Sequence, residues 1–256
     1  MIGPLNSRAG LDLTPFHKRL NTEMTARKKL LIVEDEKAIL QGLEDLFVFN
    51  GYEVDSRMDG KEGLEAALNN RYDCILLDVM MPSMDGFTVC NEIRKHSREQ
   101  AIVMLTAKNS EEDIINGFSL GADDYISKPF SIRELVLRVD AILRRSGHDR
   151  QRQEIVVADN ISINMDTLSG EREGQTLLFT RRELDILQFL SHNHQRPVSR
   201  KELLGEVWGY CKTSDVDTRT VDIHIAKLRK KIELEPKQPK YLITVRGEGY
   251  QLVSSK

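Results

Sequence analysis

The sequence predicts two joined units: an α/β unit with a doubly wound, five-stranded parallel sheet, and a smaller α+β unit after it. Short apolar runs alternate with helical patterns from residue 28 to about residue 145, and parallel strands need such crossover helices between them. Strand-like pieces separated by turn residues then precede three helical patterns. A length of 256 residues suits two domains of ordinary size.

The composition excludes several classes of protein. Hydrophobic residues make up 40% of the chain and charged residues 30%, as in a globular and not a disordered protein. We expect a cytoplasmic protein without membrane contact, because no apolar run approaches the roughly 18 residues of a spanning helix and no secretory start is visible. The 3 cysteines are widely spaced and form no CxxC pair, which argues against a disulfide framework and a zinc site.

A polar, aperiodic stretch at residues 146–153 divides the chain and is the predicted linker. We expect a flexible N-terminal extension over residues 1–27, the α/β unit over 28–145 and the second unit over 154–256. Residues 1–23 have no clear period and precede an internal Met24 that would itself serve as a start.

In the α/β unit, strand patterns are short apolar runs, and helix patterns have apolar residues three and four positions apart. The predicted strands are 30–33, 52–55, 74–78, 101–105 and 124–127, and the predicted helices are 37–50, 60–69, 87–95, 111–120 and 131–144. The third strand, Cys74–Asp78, is apolar up to its last residue and is followed by Pro and Gly turn signals. It is therefore expected to be buried on both faces of a parallel sheet.

Polar residues stand where the predicted strands end. Glu34 and Asp35 follow the first strand, and Asp78 is the last residue of the third. Thr106 follows the fourth strand, and Lys128 closes the fifth. In open α/β sheets, ligands bind outside the carboxyl ends of the strands. We therefore expect these side chains to converge on one site.

The α/β unit resembles the receiver domain of bacterial two-component response regulators, a domain of the flavodoxin-like fold. The resemblance covers about residues 28–146 and is carried by Glu34-Asp35, Asp78 with Met80-Met81-Pro82-Ser83-Met84-Asp85-Gly86, Thr106-Ala107, Gly121-Ala122-Asp123-Asp124-Tyr125 and Lys128-Pro129-Phe130. It implies that a sensor histidine kinase transfers a phosphoryl group to Asp78. Many family members carry Asp where this chain has Glu34, a departure that affects how a metal is reached.

The resemblance also implies a role for each polar group, and the chemistry of the groups agrees. A hard divalent cation held by carboxylates neutralises charge during phosphoryl transfer. The ligands of such an Mg²⁺ ion would be Glu34, Asp35, Asp78 and the main-chain carbonyl of Met80. Lys128 would meet the phosphoryl oxygens, and the Thr106 hydroxyl would donate to one of them. A cis Lys128–Pro129 peptide bond is expected as well.

Phosphorylation would couple Thr106 to Tyr125, because a hydroxyl that moves toward the phosphoryl group vacates space for an aromatic ring. This switch would favour a symmetric homodimer through helix 111–120, strand 124–127 and helix 131–144. The polar pairs between the partners would come from Asp123, Asp124, Arg133 and Arg138.

The second unit begins with strand-like pieces at 155–157, 161–163 and 176–179, which predict a small antiparallel sheet. Capping signals at Thr180 and Ser199 then begin two helices. A third helix over about 218–232 has a predicted buried stripe of Val221, Ile225, Leu228 and Ile232 and an opposite face of Arg219, Ile223, Ala226, Lys227 and Lys230. Basic residues with small or apolar gaps suit a DNA major groove, although a solvated basic surface has the same composition.

This unit resembles the winged helix-turn-helix output domain of the OmpR/PhoB class over about residues 154–254. The matching motifs are Phe179-Thr180-Arg181-Arg182-Glu183-Leu184, Arg219-Thr220-Val221-Asp222-Ile223-His224-Ile225 with Leu228-Arg229-Lys230-Lys231, and Val245-Arg246-Gly247-Glu248-Gly249-Tyr250. The candidate DNA contacts are Arg219, Thr220, Ile223, His224, Lys227, Arg229, Lys230, Thr244 and Arg246. Arg246 lies near the tip of a predicted hairpin, from which it could enter a minor groove.

Together these features predict a phosphorylation-controlled transcription regulator that dimerises, binds double-stranded promoter DNA and is not an enzyme. RNA polymerase is a further candidate partner. Two alternatives stay open: an enzyme that turns over a small phosphorylated substrate through Asp78, and a regulator whose receiver is never phosphorylated. The lack of a substrate domain argues against the first, and the intact acidic set with Thr106 and Lys128 argues against the second.

Overall fold

The computed structural model describes residues 27–106, 121–145, 154–158, 161–210 and 219–253. The strands of the first domain are β1 Lys29–Val33, β2 Glu53–Arg57, β3 Cys74–Asp78, β4 Ala101–Thr106 and β5 Asp124–Ser127, and its described helices are α1 Lys37–Phe49, α2 Gly60–Asn69, α3 Gly86–His96 and α4 Ile132–Arg145. All strands are parallel, in the order β2-β1-β3-β4-β5. The predicted doubly wound parallel sheet is confirmed. The predicted helix 111–120 lies outside the described residues.

The side chains of the interior strand β1 divide the core of this domain into two layers. Leu31 and Val33 pack with α2 and α3, whereas Leu30 and Ile32 pack on the other face with α1 and α4. Successive residues of a strand point to opposite faces of its sheet, and all four side chains are fully buried. Because helices cover both faces, a ligand reaches the sheet at the ends of its strands.

In its described residues, the second domain combines an antiparallel sheet with three helices and a hairpin. Its strands are β6 Glu154–Ala158, β7 Ile161–Asn164, β8 Ser169–Arg172 and β9 Gln175–Leu178, its helices are α5 Arg181–His192, α6 Arg200–Trp208 and α7 Arg219–Ile232, and the hairpin consists of β10 Leu242–Val245 and β11 Gly249–Leu252. The sheet has four strands in the order β6-β7-β8-β9, one more than the sequence predicted. The additional strand β8 has the sequence Ser-Gly-Glu-Arg and no apolar alternation, so its pattern did not reveal it.

Local signals set the helix starts and the hairpin turn of this domain. Thr180 and Glu183 form the predicted capping box, and the Ser199 side chain accepts a hydrogen bond from the Glu202 main-chain N–H. Gly249 has a φ of 136°, and a Cβ atom there would lie 2.0 Å from the Val198 carbonyl oxygen. Only glycine therefore allows the hairpin to pair with Val198 through Tyr250.

Two further expectations concern membranes and cysteines. Within the described ranges, no helix is both long and apolar enough to cross a bilayer. Cys74 and Cys90 are buried thiols of the first domain, and Cys211 lies outside the described residues.

Candidate functional site

Three carboxylates converge at the carboxyl edge of the parallel sheet, as the strand-end residues predicted. Glu34 and Asp35 follow β1, and Asp78 ends β3, which is the parallel neighbour of β1. Ligand atoms of the three side chains all lie within 4.8 Å of one another. Glu34 is fully buried and Asp78 is 3% exposed. The site is thus a compact acidic cluster of two buried carboxylates and the partly exposed Asp35.

Lys128 offsets part of this negative charge. The Lys128 ammonium lies 2.7 Å from Glu34 Oε2 and 3.2 Å from Asp78 Oδ1. The Lys128–Pro129 bond that precedes α4 is cis, as expected. Burial lowers the pKa of Lys128, but the hydrogen bond to Glu34 and the charge of Asp78 outweigh it, so the pKa of Lys128 is raised.

The charged forms of the two buried carboxylates are disfavoured by their surroundings. Burial raises the pKa of Glu34, and the neighbouring charge of Asp78 raises it further, although Lys128 opposes both effects. Burial likewise raises the pKa of Asp78 against the opposing charge of Lys128. Among the described residues, one ammonium beside three carboxylates leaves excess negative charge. Oxygen donors with this spacing and charge fit a hard divalent cation such as Mg²⁺.

The loop after β3 holds Asp78 in place. The Val79 main-chain N–H donates to Asp78 Oδ1 at 2.8 Å, and the Gly86 N–H donates to the Val79 carbonyl at 3.0 Å. A Cβ atom on Gly86 would lie 2.0 Å from the Asp78 carbonyl oxygen. Glycine at this position therefore lets α3 begin directly against the strand end. Met80, whose main-chain carbonyl is a candidate ligand, lies in the same loop with an exposed side chain.

The two predicted switch residues lie on the adjacent strands of the sheet. Thr106 is the last residue of β4 and is 3% exposed. Tyr125 lies on β5, where it pairs in register with Met104 of β4, and it is 8% exposed. Burial raises the pKa of the Tyr125 hydroxyl. Coupling between Thr106 and Tyr125 stays a prediction.

Three of the four residues expected to pair between subunits form ion pairs within this chain, and the fourth is exposed. Arg94 lies 2.8 Å from Asp123 Oδ2, and Arg138 lies 3.1 Å from Asp124 Oδ2. These ion pairs are buried. Arg133 is exposed on α4. Pairing of these residues between two chains stays a prediction.

The same surface contacts the second domain through two aromatic residues at the end of α6. Trp208 Nε1 donates to the Asp123 carbonyl oxygen at 3.0 Å. The Tyr210 hydroxyl donates to Asp124 Oδ2, and its ring centroid lies 4.8 Å from the Arg138 guanidinium. Neither residue was among the candidate site residues. No local pattern marks such residues, because their role depends on how two domains meet.

The predicted buried stripe of α7 is confirmed, since Val221, Ile225, Leu228 and Ile232 are at most 1% exposed. On the opposite face, Ala226 and Lys230 are exposed. Ile223 instead packs against the apolar core of the first domain, and Lys227 is 9% exposed. The first domain therefore covers part of the face that was expected to enter DNA.

The other candidate DNA contacts are distributed between core and surface. His224 is fully buried with its ring centroid 5.3 Å from that of Trp208, and Thr220 is 6% exposed. Arg229 donates from Nε to the Leu242 carbonyl and from Nη2 to Thr244 Oγ1, both at 2.8 Å, so it fastens the hairpin to α7. Arg246 and Thr244 are exposed on the hairpin. The side chain of Arg219 lies outside the described part of the chain.

A network that the sequence did not reveal links α6, α7 and the hairpin. Arg200 Nε lies 2.6 Å from Asp222 Oδ1, and the Tyr250 hydroxyl donates to the same oxygen at 2.6 Å. The Arg200 guanidinium stacks 4.7 Å from the Tyr250 ring centroid. These contacts join α7 and the hairpin into one unit.

Comparisons with known proteins match a family to each of the two domains. Residues 30–140 match the family described as response regulator receiver domain, and residues 174–252 match the family described as transcriptional regulatory protein, C terminal. The chain is 39% identical over 236 residues to the probable transcriptional regulator ycf27 of Guillardia theta, which covers 90% of this chain and 92% of that protein.

Solved structures of similar architecture include two mutants of RitR. One is 29% identical with a TM-score of 0.69, and the other is 28% identical with a TM-score of 0.66. Each match covers 89% of this chain and 100% of the RitR chain. The likeness therefore extends over both domains.

Proposed function

Because this chain belongs to the OmpR/PhoB class of response regulators, we propose that it accepts a phosphoryl group on Asp78, dimerises and then binds promoter DNA. A protein of this class is a phosphorylation-regulated transcription regulator and not an enzyme. The observation that carries the proposal is the meeting of Glu34, Asp35 and Asp78, two of which, Glu34 and Asp78, also contact the Lys128 ammonium. The phosphodonor would be a sensor histidine kinase.

Each residue of the acidic site has a role in this proposal. Asp78 is the nucleophile, and its carboxylate is held by the Val79 N–H at the end of a buried strand. Mg²⁺, held by Glu34, Asp35, Asp78 and the Met80 carbonyl, would neutralise charge on the phosphoryl oxygens. Lys128 exchanges its contact with Glu34 for the incoming phosphoryl oxygens, and the Thr106 hydroxyl donates to one of them.

The contact between the domains supports control by phosphorylation. Ile223 and Lys227 are covered by the first domain, so α7 cannot present its whole face to a major groove in this arrangement. Asp124 and Arg138 contact Tyr210, and these two residues also belong to the proposed dimer surface. Phosphorylation would act through Thr106 and the β5 strand to release this contact. Opening and dimerisation are then parts of one equilibrium.

In the open state, the DNA-binding domain would place α7 in the major groove and Arg246 in a minor groove. Exposed Lys230 and Ala226 already lie on the required face. Two subunits would cover half-sites separated by about one helical turn, 10–10.5 bp centre to centre. RNA polymerase is a further proposed partner of the bound dimer.

The phosphoacceptor is tested by incubating the full chain with acetyl phosphate, with and without Mg²⁺, and measuring intact mass. We expect one added phosphoryl group in the presence of Mg²⁺ and none in Asp78→Asn. Asp45→Asn, which removes an exposed carboxylate from α1, is the matched control and should be labelled normally. Labelling of Asp78→Asn at the normal rate would show that another residue is the acceptor. Sedimentation of the labelled protein then tests dimerisation.

A further inference from the structure

A crevice of about 360 Å³ lies between the two domains, away from the acidic cluster. Its walls carry five cationic side chains, Arg94, Arg98, Lys227, Lys230 and Lys231, and a single carboxylate, Glu183. The first two cations belong to the first domain, and the other residues belong to the second. The volume falls within the usual range of small-molecule sites.

Two of the five cations are already neutralised. Arg94 pairs with Asp123 at 2.8 Å and also donates to the carbonyl oxygens of Gly121, Ser97 and Gln100. Lys231 lies 2.6 Å from Glu183 Oε2 and donates to the Leu178 carbonyl. Glu183, the one carboxylate that lines the crevice, is therefore already paired with Lys231.

The other three cations have no such direct partner among the described residues. Within the described part of the chain, the side chains of Arg98, Lys227 and Lys230 make no ion pair and no hydrogen bond. Lys227 is only 9% exposed. Its burial lowers its pKa to about 8, and the nearby charge of Glu183 does not compensate. A buried ammonium without a direct hydrogen bond or ion pair is costly unless an anion reaches it.

We propose that this crevice binds a small phosphate-bearing anion, which bridges Arg98 of the first domain to Lys227 and Lys230 of α7. Three separate cations favour a ligand with more than one negative charge and several acceptor oxygens, as in phosphate and diphosphate groups. Arginine and lysine together are the usual partners of such groups. A DNA duplex cannot take this position, because the first domain forms one wall of the crevice.

Such a ligand would control DNA binding without phosphorylation of Asp78. The anion would hold the two domains together and occupy Lys227 and Lys230, which the open protein would use on DNA. By mass action, a ligand that binds only the closed arrangement shifts the population toward it. The anion would thus lower the affinity for DNA, and DNA would lower the affinity for the anion by the same factor.

The test is a calorimetric titration of the full chain with inorganic diphosphate at constant ionic strength, near pH 7 and without Mg²⁺. We expect saturable binding of one ion per chain. Arg98→Ala and Lys227→Met should each weaken binding at least tenfold. Arg71→Ala removes the same charge from an exposed position outside the crevice and should bind like the parent. Orthophosphate and citrate are titrated in parallel, to separate a phosphate site from a site for any multivalent anion.

Several results would overturn the proposal. Absence of saturable binding would do so, as would equal losses in Arg71→Ala and Arg98→Ala, which would indicate non-specific charge. Full binding in Arg98→Ala with loss in Lys227→Met would place the ion on the DNA-binding surface alone. Citrate binding as tight as diphosphate would refute the phosphate assignment. Orthophosphate binding as tight as diphosphate would support a single phosphate group as the recognised unit.

Discussion

Replacement of Lys227 by methionine should stabilise the protein while impairing its contact with DNA. Methionine preserves an unbranched apolar stem in the crevice between the domains and removes the buried charge. The pKa of Lys227 falls from 10.5 to about 8 in the folded chain, mainly because of burial. At 1.36 kcal/mol per pH unit, this difference of roughly 2.5 pH units corresponds to about 3 kcal/mol. Near pH 7, burial of the Lys227 charge therefore lowers the folding stability of the parent protein by this amount, and the Lys227→Met variant avoids that loss.

The pH dependence identifies the charge as the cause. A lysine whose pKa is lowered on folding destabilises the folded state fully below its folded pKa, and this destabilisation is lost as pH rises toward the unfolded value. The advantage of Lys227→Met should therefore be full at about pH 7 and should shrink between about pH 8 and 10.5.

The assay is urea unfolding followed by tryptophan fluorescence. Trp208 is the 1 tryptophan of the sequence, and its indole N–H donates across the domain boundary to Asp123. With a urea dependence of roughly 1–3 kcal/mol per molar, the transition midpoint should rise by about 1–3 M near pH 7. An unchanged midpoint would mean that Lys227 is exposed in solution and that the domains do not meet as described. A gain that persists at about pH 10.5 would assign the effect to packing of methionine and not to charge.

Two further predictions concern the domain contact and the DNA face. Tyr210→Phe removes the hydrogen bond to Asp124, and a hydrogen bond to a charged group contributes roughly 1.5–3 kcal/mol. The variant should therefore bind DNA about tenfold more tightly, or better, in fluorescence anisotropy titrations. Unchanged affinity would mean that this contact does not restrain α7. Lys230→Ala should weaken binding to matched and scrambled duplexes alike and lower the salt slope by about one, whereas Arg219→Ala should cost roughly 1–3 kcal/mol on the matched duplex alone. Equal losses from both substitutions on both duplexes would contradict a sequence-reading role for α7.

Sequence patterns predicted the elements whose signals are local. Cys74–Asp78 is the buried strand that its apolar run indicated, and its terminal carboxylate meets Glu34 because parallel neighbours end at one edge. The resemblance to receiver domains supplied the cis Lys128–Pro129 bond. The strand β8 escaped prediction because Ser169–Arg172 pairs through its backbone with two neighbours and buries little apolar surface.

The contacts of side chains between domains could not be predicted in the same way. The pattern on α7 correctly separated a buried stripe from a basic face, but it carried no information on what lies over that face. Lys227 is buried by residues of another domain, and Asp124 accepts a hydrogen bond from Tyr210, 86 positions away along the chain. Such contacts depend on how the surfaces of two folded domains fit together. Hydrophobic periodicity and turn signals describe single elements and do not predict that fit.

The contact of Tyr210 with Asp124 and Arg138 has a quantitative consequence for assembly. If the proposed dimer uses this surface, both protomers must be open before they associate. The apparent dissociation constant of the dimer then rises with the inverse square of the open fraction, since each partner contributes one factor. With about one chain in ten open, dimerisation would be weakened roughly a hundredfold. A stimulus that doubles a small open fraction would therefore strengthen dimerisation about fourfold, so that a gradual input produces a steeper output.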